Sequence, residues 1–278
     1  TGEVKQQIIV SAHHDSAHIF NFLQKNPLTY STKVTLGFAG QFVMMIVVIL
    51  LFSLGLASKL TPTIYWIAMG VVFLAALPVL RLWFFFDPKQ GTPGAGDNMI
   101  CTAIAMEIGK YFSTKERQLQ HTRVVVASWD AEECGLRGAR AYVKAHKDDL
   151  HKVKTLNFNL ECMYDHNELH FLTSDLNNFV KLSEAMVRDG VDAGQKLGYP
   201  VQSVAFPLLG GGTDAAEFAK VGVEATTLVA MNWITRKPDS AYHTTRDTIE
   251  AVDREAITRS IDIGIQYVLD QEKALLGE

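Results

Sequence analysis

Apolar residues are spread unevenly along this chain. Residues 34–58 carry no charged side chain, and after Lys59 and Pro62 a second uncharged run reaches Leu80 and ends at Arg81. An α-helix of about 20 apolar residues spans a hydrocarbon core of roughly 30 Å, so each run is long enough to cross a bilayer. Two spans joined by a turn at 57–63 predict a helical hairpin with both outer ends on one side of the membrane. Tyr65, Trp66 and Trp83 stand near the span ends, where interfacial aromatics collect. Pro78 falls late in the second span, where a kink disrupts little. Core helices of soluble proteins are seldom charge-free for so long, and a secretory leader is neither internal nor double. Lys25, Lys33, Arg81 and Lys89 flank the outer ends, whereas the turn holds only Lys59. By the positive-inside tendency this leans the attached domain to the cytoplasmic side. The pattern predicts an integral membrane protein embedded in a lipid bilayer.

Outside the hairpin, strand-like runs at 7–12, 123–129, 155–160, 169–173 and 225–230 alternate with helical patterns at 97–112, 139–147, 177–197 and 253–276. Val124, Val125 and Val126 read as part of a strand buried on both faces. Alternation of this kind predicts an α/β fold, a sheet with helices on both faces. Strand-like sequence lies on both sides of the hairpin, so residues 33–87 read as an insertion into one domain made of 1–32 and 88–278. The chain opens on Thr1 rather than Met, and further residues are expected ahead of it.

Composition narrows the function. At 48% hydrophobic the chain has ample material for a core, which excludes disorder. A net charge of -4 gives a nucleic-acid partner no support. Three cysteines make no disulfide framework, in keeping with a reducing compartment.

In an open α/β sheet the site forms beyond the carboxyl ends of the strands. His13 and Asp15 follow the first strand, Glu132 and Glu133 follow the valine strand, and Glu161 follows Asn159 and Leu160. Asp97 comes after a Gly/Pro-rich loop, and His243 lies between Asp239 and Asp247. Two histidines among carboxylates form a mixed N/O donor set that suits zinc above manganese or cobalt. Taken alone, Asp97 beside Asn98 could be a helix cap. Adjacent glutamates usually mark a solvated face, but at the end of an apolar strand they are costly without cations. Cys134 and Cys162 read as small buried fillers, and His14, His18 and His166 are not expected to ligate. Gly210–Gly212 lacks the Lys-Ser/Thr of a phosphate loop, so its glycines are expected to let backbone approach a substrate.

Four motifs in order, Ser11-Ala12-His13-His14-Asp15-Ser16, Gly96-Asp97-Asn98, Ala131-Glu132-Glu133-Cys134-Gly135-Leu136-Arg137-Gly138-Ala139, and Tyr242-His243-Thr244-Thr245 with Asp247-Thr248, resemble the M28 family of zinc aminopeptidases. The glutamate-pair motif is the most specific of them. The resemblance implies a central mixed sheet flanked by helices and a pair of zinc ions. It implies His13, Asp97, Glu133, Glu161 and His243 as ligands, with Asp97 bridging. Asp15 would orient His13, Glu132 would be the general base for the attacking water, and Tyr242 would stabilise the tetrahedral intermediate. Family aminopeptidases carry Asp where Glu161 stands, and in the related M20 family a Glu there accompanies carboxypeptidase and acyl-amino-acid hydrolase activities. Asp214 matches the Asp of a Ser-Asp-His motif whose histidine is Ala215 here, which leaves Asp214 as a wall residue or a helix cap. The family also carries more chain, including edge strands, ahead of the His-x-Asp strand. The function implied is a membrane-bound zinc exopeptidase of aminopeptidase type, acting on peptides. Alternatives are an amidase of N-acyl amino acids or amphiphilic lipid amides, glutaminyl cyclase-like acyl transfer, and a non-catalytic membrane scaffold.

Overall fold

The computed structural model describes residues 3–53, 61–207, 210–232 and 240–277. Residues 57–60 of the expected turn, and Asp239, lie outside these ranges. The chain forms two compact units, Thr1–Ala17 with Thr92–Thr235 and Thr245–Glu278, and His18–Gly91 with Arg236–Thr244.

The first unit is built on a six-stranded sheet. Its strands are β1 (Gln6–His13), β4 (Thr122–Trp129), β5 (Lys154–Met163), β6 (Leu169–Leu172), β9 (Gln202–Val204) and β10 (Glu224–Ala230). They lie in the order β4-β1-β5-β10-β6-β9, parallel except where β10 meets β6. The sheet is therefore mixed. Side chains alternate between its faces, and the alternation divides the chemistry. Ile8, Val10, Ala12, Leu156, Phe158, Leu160, Leu228 and Ala230 join one core. That core is completed by α4 (Ile100–Phe112), α6 (Glu184–Lys196) and α8 (Arg254–Leu276). The opposite parity places Ser11, His13, Asn157, Asn159, Glu161 and Thr227 on the other face, on the side of α5 (Arg137–Leu150) and α7 (Ala215–Ala219).

Three elements differ from the sequence reading. Among the described strands the valine strand β4 lies at an edge of the sheet, beside β1, and Val126 is 40% exposed. β-branched residues suit strand geometry at an edge as well as in a core, so the triplet did not measure burial. The helix expected from 177 begins at Glu184, capped by Ser183, whose hydroxyl accepts from the Met186 N–H at 3.3 Å. Ahead of it, Leu176, Asn177 and Asn178 adopt left-handed backbone between β7 (Ser174–Asp175) and β8 (Val180–Lys181), a conformation asparagine tolerates well. The helix expected from 97 becomes regular only at Ile100, because Asp97 and Asn98 have non-helical backbone.

In the second unit, α2 (Tyr30–Ser53) and α3 (Pro62–Leu82) pack together through small residues. A Cβ on Gly40 would lie 2.4 Å from the Ala75 carbonyl oxygen, and one on Gly37 would strike Leu82. Both helices are long and apolar enough to cross a membrane. α3 buries no residue, and Phe52 and Trp66 are 88% and 70% exposed. At the base, β2 (His18–Phe20) pairs antiparallel with β3 (Phe86–Gly91). The short helix α1 (Asn21–Lys25) contributes Phe22 and Leu23 to a cluster with Tyr30, Val34, Leu82 and Phe85.

Candidate active site

Loops and strand ends of the first unit bring five of the expected residues, His13, Asp97, Glu132, Glu133 and Glu161, close to one another. His13 ends β1 and is 1% exposed. Its Nδ1 lies 3.1 Å from the Asp15 carbonyl oxygen and 3.4 Å from the Asp15 carboxylate. That arrangement keeps the proton on Nδ1 and turns Nε2 toward the pocket. Nε2 is 3.2 Å from Glu161, 3.3 Å from Asp97 and 3.8 Å from Glu132. The donor atoms of His13, Asp97 and Glu161 lie within 4.8 Å of one another, as do those of His13, Glu132 and Glu133.

Local structure explains each placement. The Asp15 carboxylate accepts the backbone N–H groups of Glu132 and Glu133 at 3.0 and 3.2 Å, so it organises the glutamate turn as well as the histidine. That turn closes where the Gly138 N–H meets the Asp130 carbonyl at 3.0 Å, and a Cβ on Gly138 would sit 2.3 Å from that oxygen. The final glycine of the motif is thus demanded by backbone against backbone. Asp97 is not a helix cap. Its N–H and that of Gly96 donate to Asp247 at 3.2 and 2.7 Å, which holds the loop with the Asp97 side chain buried. On β5, Cys162 is an extra residue opposite the Val229–Ala230 step and takes left-handed backbone. The β1–β5 ladder ends at Ser11 and Asn159. Beyond it the Asn98 side chain takes over, donating to the Leu160 carbonyl at 3.0 Å and accepting the Cys162 N–H at 3.3 Å. Asn98 therefore grips the backbone on both sides of Glu161.

Sequence reasoning missed the roles of Asn98 and Asp247, although both sit inside the motifs. Asn98 was legible only as a neighbour of a possible cap, because its partners are 62 and 64 residues away. Cys162 is buried as expected, but Cys134 is exposed and fills nothing. His166 is held at 2.6 Å by Asp253, the N-cap of α8, and His14 bonds Ser128. Asp214 precedes α7 without a side-chain cap bond, which removes the cap alternative. Tyr242 and His243 belong to the second unit, where their rings stack at 3.8 Å and His243 meets Phe20 edge-on at 4.2 Å.

The electrostatics of the pocket are those of a cation site. Burial alone would lower the His13 pKa, but Glu161 and Glu132, with Asp15 and Asp97, outweigh it and raise it well above the usual value. Burial raises Glu161 to about 7, with Asp97 and Glu133 adding to the effect against the pull of His13. Burial also lifts Glu132 well above the carboxylate range, opposed by His13 and reinforced by Glu133, Glu161 and Asp214. Glu161 Oε2 and both Asp214 oxygens are buried with no hydrogen-bond partner. Carboxylates left in this state are expensive unless a cation compensates them. The donor set and its orphaned oxygens fit a bound metal ion.

Comparison with known proteins places the chain in a family. The profile of Peptidase family M28 matches residues 85–268. Aminopeptidase YwaD of Bacillus subtilis is 25% identical over 193 residues, covering 68% of this chain and 40% of the relative. The chain thus spans less than half the length of that relative. Among solved structures, the LapA aminopeptidase of Legionella pneumophila superposes with a TM-score of 0.60 at 14% identity, covering 96% of this chain and 52% of that one. A glutaminyl cyclase of Porphyromonas gingivalis superposes with a TM-score of 0.58 at 11% identity, covering 97% and 74%. At such identities these two likenesses establish the fold. With about two thirds of its length matched by the family profile, the chain belongs to peptidase family M28.

Proposed function

We propose that this protein is a membrane-anchored, zinc-dependent exopeptidase that removes amino-terminal residues from peptides. The observation that carries the reading is the convergence of His13, Asp97, Glu132 and Glu161 in a buried pocket whose orphaned oxygens call for a cation. His13, Asp97 and Glu161 would hold one zinc ion and Asp97 and Glu133 would bind a second. His243 as a further ligand, and Tyr242 as stabiliser of the intermediate, keep the roles their motif assigns. Zinc, when bound, supplies Lewis-acid polarisation and makes water acidic enough to be deprotonated near neutral pH. Glu132 then accepts a proton from the attacking water and passes it to the nitrogen of the breaking C–N bond. Asp15 keeps His13 in the tautomer that leaves Nε2 free to ligate.

A second reading, hydrolysis of N-acyl amino acids or amphiphilic amides, rests on Glu161 at a position where family aminopeptidases carry Asp. One experiment separates them. The purified full chain is assayed with aminoacyl, peptide and N-acyl-amino-acid substrates, before and after chelation and zinc restoration. Chelator-sensitive release of amino-terminal residues is the expected result. Turnover of N-acyl substrates alone selects the amidase reading, and zinc-independent turnover overturns both.

A further inference from the structure

The floor beneath His13 and Glu161 is polar where a sheet interior is normally apolar. Asn157, Ser11, Asn159, Thr227 and Asp175 are fully buried and Thr213 is 1% exposed, and the six form one continuous chain of hydrogen bonds. Asn157 Nδ2 donates to Ser11 Oγ at 2.8 Å, and Ser11 Oγ donates to Asn159 Oδ1 at 2.9 Å. Asn159 Nδ2 donates to Thr227 Oγ1 at 3.5 Å, the longest link. Thr227 and Thr213 hydroxyls are 2.6 Å apart, and Thr213 Oγ1 donates to Asp175 Oδ2 at 2.6 Å.

Both ends fix the direction. Asn157 Nδ2 also donates to the Ile9 carbonyl at 3.2 Å, so flipping its amide would set oxygen against oxygen. At the far end an ionised Asp175 can only accept. Thr213 spends its one hydroxyl proton on Asp175, so Thr227 must donate to Thr213. Every donor therefore points toward Asp175, which also accepts the N–H groups of Thr213 and Leu176 at 2.8 and 2.6 Å. The chain crosses three neighbouring strands in one row, since Ser11 pairs with Asn159 and Asn159 with Thr227. His13 and Glu161 stand two residues further along the first two of these strands, on the same face.

We propose that Asp175 is a positioning residue for the ion site: as terminal acceptor of this one-way chain it locks the rows of β1 and β5 from which His13 and Glu161 project. The inference rests on the metal reading above and deepens it. Asp175→Asn is the sharp perturbation. The amide nitrogen would face Thr213 Oγ1, which must then accept and turn its proton toward Thr227. Thr227 would then accept from both Thr213 and Asn159 Nδ2, leaving its own proton with no acceptor in the chain, and the pinned Asn157 blocks a full reversal. Thr213→Val breaks the same link at nearly constant shape, whereas Thr213→Ser preserves it.

The test uses the purified full chain in detergent, stripped of metal and titrated with cobalt(II), whose visible absorption reports ligand geometry. Asp175→Asn and Thr213→Val should bind cobalt tenfold or more weakly with an altered spectrum, the scale on which residues behind a ligand act. Thr213→Ser should match the unsubstituted protein. Thermal melting of the metal-free forms separates folding from positioning, and Ser11→Ala, the smallest break in the chain, serves if the others do not fold. Variants that melt lower yet keep the cobalt spectrum and affinity overturn the inference alone. If the unsubstituted protein takes up no cobalt, the metal reading falls and the inference falls with it.

Discussion

Glu132 and Glu133 are neighbours with opposite expected duties, and that makes them the most informative pair in the molecule. Their N–H groups are held by one carboxylate, Asp15, so the turn keeps its shape when either side chain changes. Glu132→Gln preserves size and hydrogen bonding but cannot take a proton. Turnover should fall by roughly two to four orders of magnitude, the usual contribution of a positioned general base, while zinc content by elemental analysis stays near that of the unsubstituted protein. Glu133→Gln should lose metal first, and excess zinc should partly restore its activity. Equal metal loss in both variants would reverse the assignment of base and ligand. The candidate residues themselves were legible because each stands at a strand end inside a short motif. What holds them was not legible. Asn98 and Asp247 act through partners 62 to 151 residues distant, and no local pattern records such a contact.

Elements were legible where burial or capping leaves a periodic trace and obscure where it does not. β1, β5 and β10 were found because both faces of their residues are buried, and α8 because Asp253 marks its start. The edge position of β4 was hidden, since three valines read alike at a sheet's edge and at its centre. The loop from β4 to α5 depends on Gly138, whose Cβ would meet Asp130 backbone oxygen and nitrogen at 2.3 and 2.8 Å. Gly138→Ala should cost more than about 1 kcal/mol, as a side chain in an incompatible backbone setting does, and should lower zinc retention because the loop carries Glu132 and Glu133. β4 is tied to α8 by Glu272, which is 6% exposed and accepts from the Gln120 and His121 N–H groups at 2.6 and 3.0 Å and from the Thr122 hydroxyl. Burial works to raise its pKa, but these bonds from Thr122, His121 and Gln120 outweigh it and hold it below the ordinary value of 4.5. A carboxylate depressed in the folded state stabilises above its unfolded pKa and stops doing so as pH falls through the folded one. The stability gap between the unsubstituted protein and Glu272→Gln, read by melting at a series of pH values, should therefore be full at neutral pH, roughly 1.5–3 kcal/mol for bonds to a charged group, and should close as pH falls below about 4.5. A gap that is independent of pH would mean that packing, not charge, joins these elements.

At the scale of the whole molecule the decisive question is what solvent surrounds α2 and α3. Helices of 24 and 21 residues reach about 36 and 32 Å at 1.5 Å per residue, enough for a hydrocarbon core of roughly 30 Å. Their outward surfaces carry Phe42, Ile46, Phe52, Trp66, Phe73 and Leu74, all more than half exposed apart from the shared contact through Gly37 and Gly40. In water such a surface would drive aggregation, whereas in lipid it has no cost. The protein should therefore stay in the membrane fraction after a carbonate wash and require detergent for release. A cysteine placed within residues 58–62, between the two helices in sequence, and probed with an impermeant reagent then reads the orientation, with labelling from outside expected if the outer ends face the cytoplasm. The architecture at the base of the hairpin sets the last expectation. β2 and β3 bring the entering and leaving chains together as an antiparallel pair, and Phe22, Leu23, Tyr30, Val34, Leu82 and Phe85 close a cluster above them. Replacing residues 36–80 with a short Gly/Ser linker keeps that cluster and removes only the apolar shafts. The shortened protein should be soluble without detergent, melt cooperatively and still bind zinc, since every ligand of the His13, Asp97 and Glu161 group lies outside the deletion. If it folds but no longer binds zinc, the shafts contribute to the site. If the intact protein washes off the membrane, the bilayer reading of the hairpin is wrong and its apolar faces must be covered by protein.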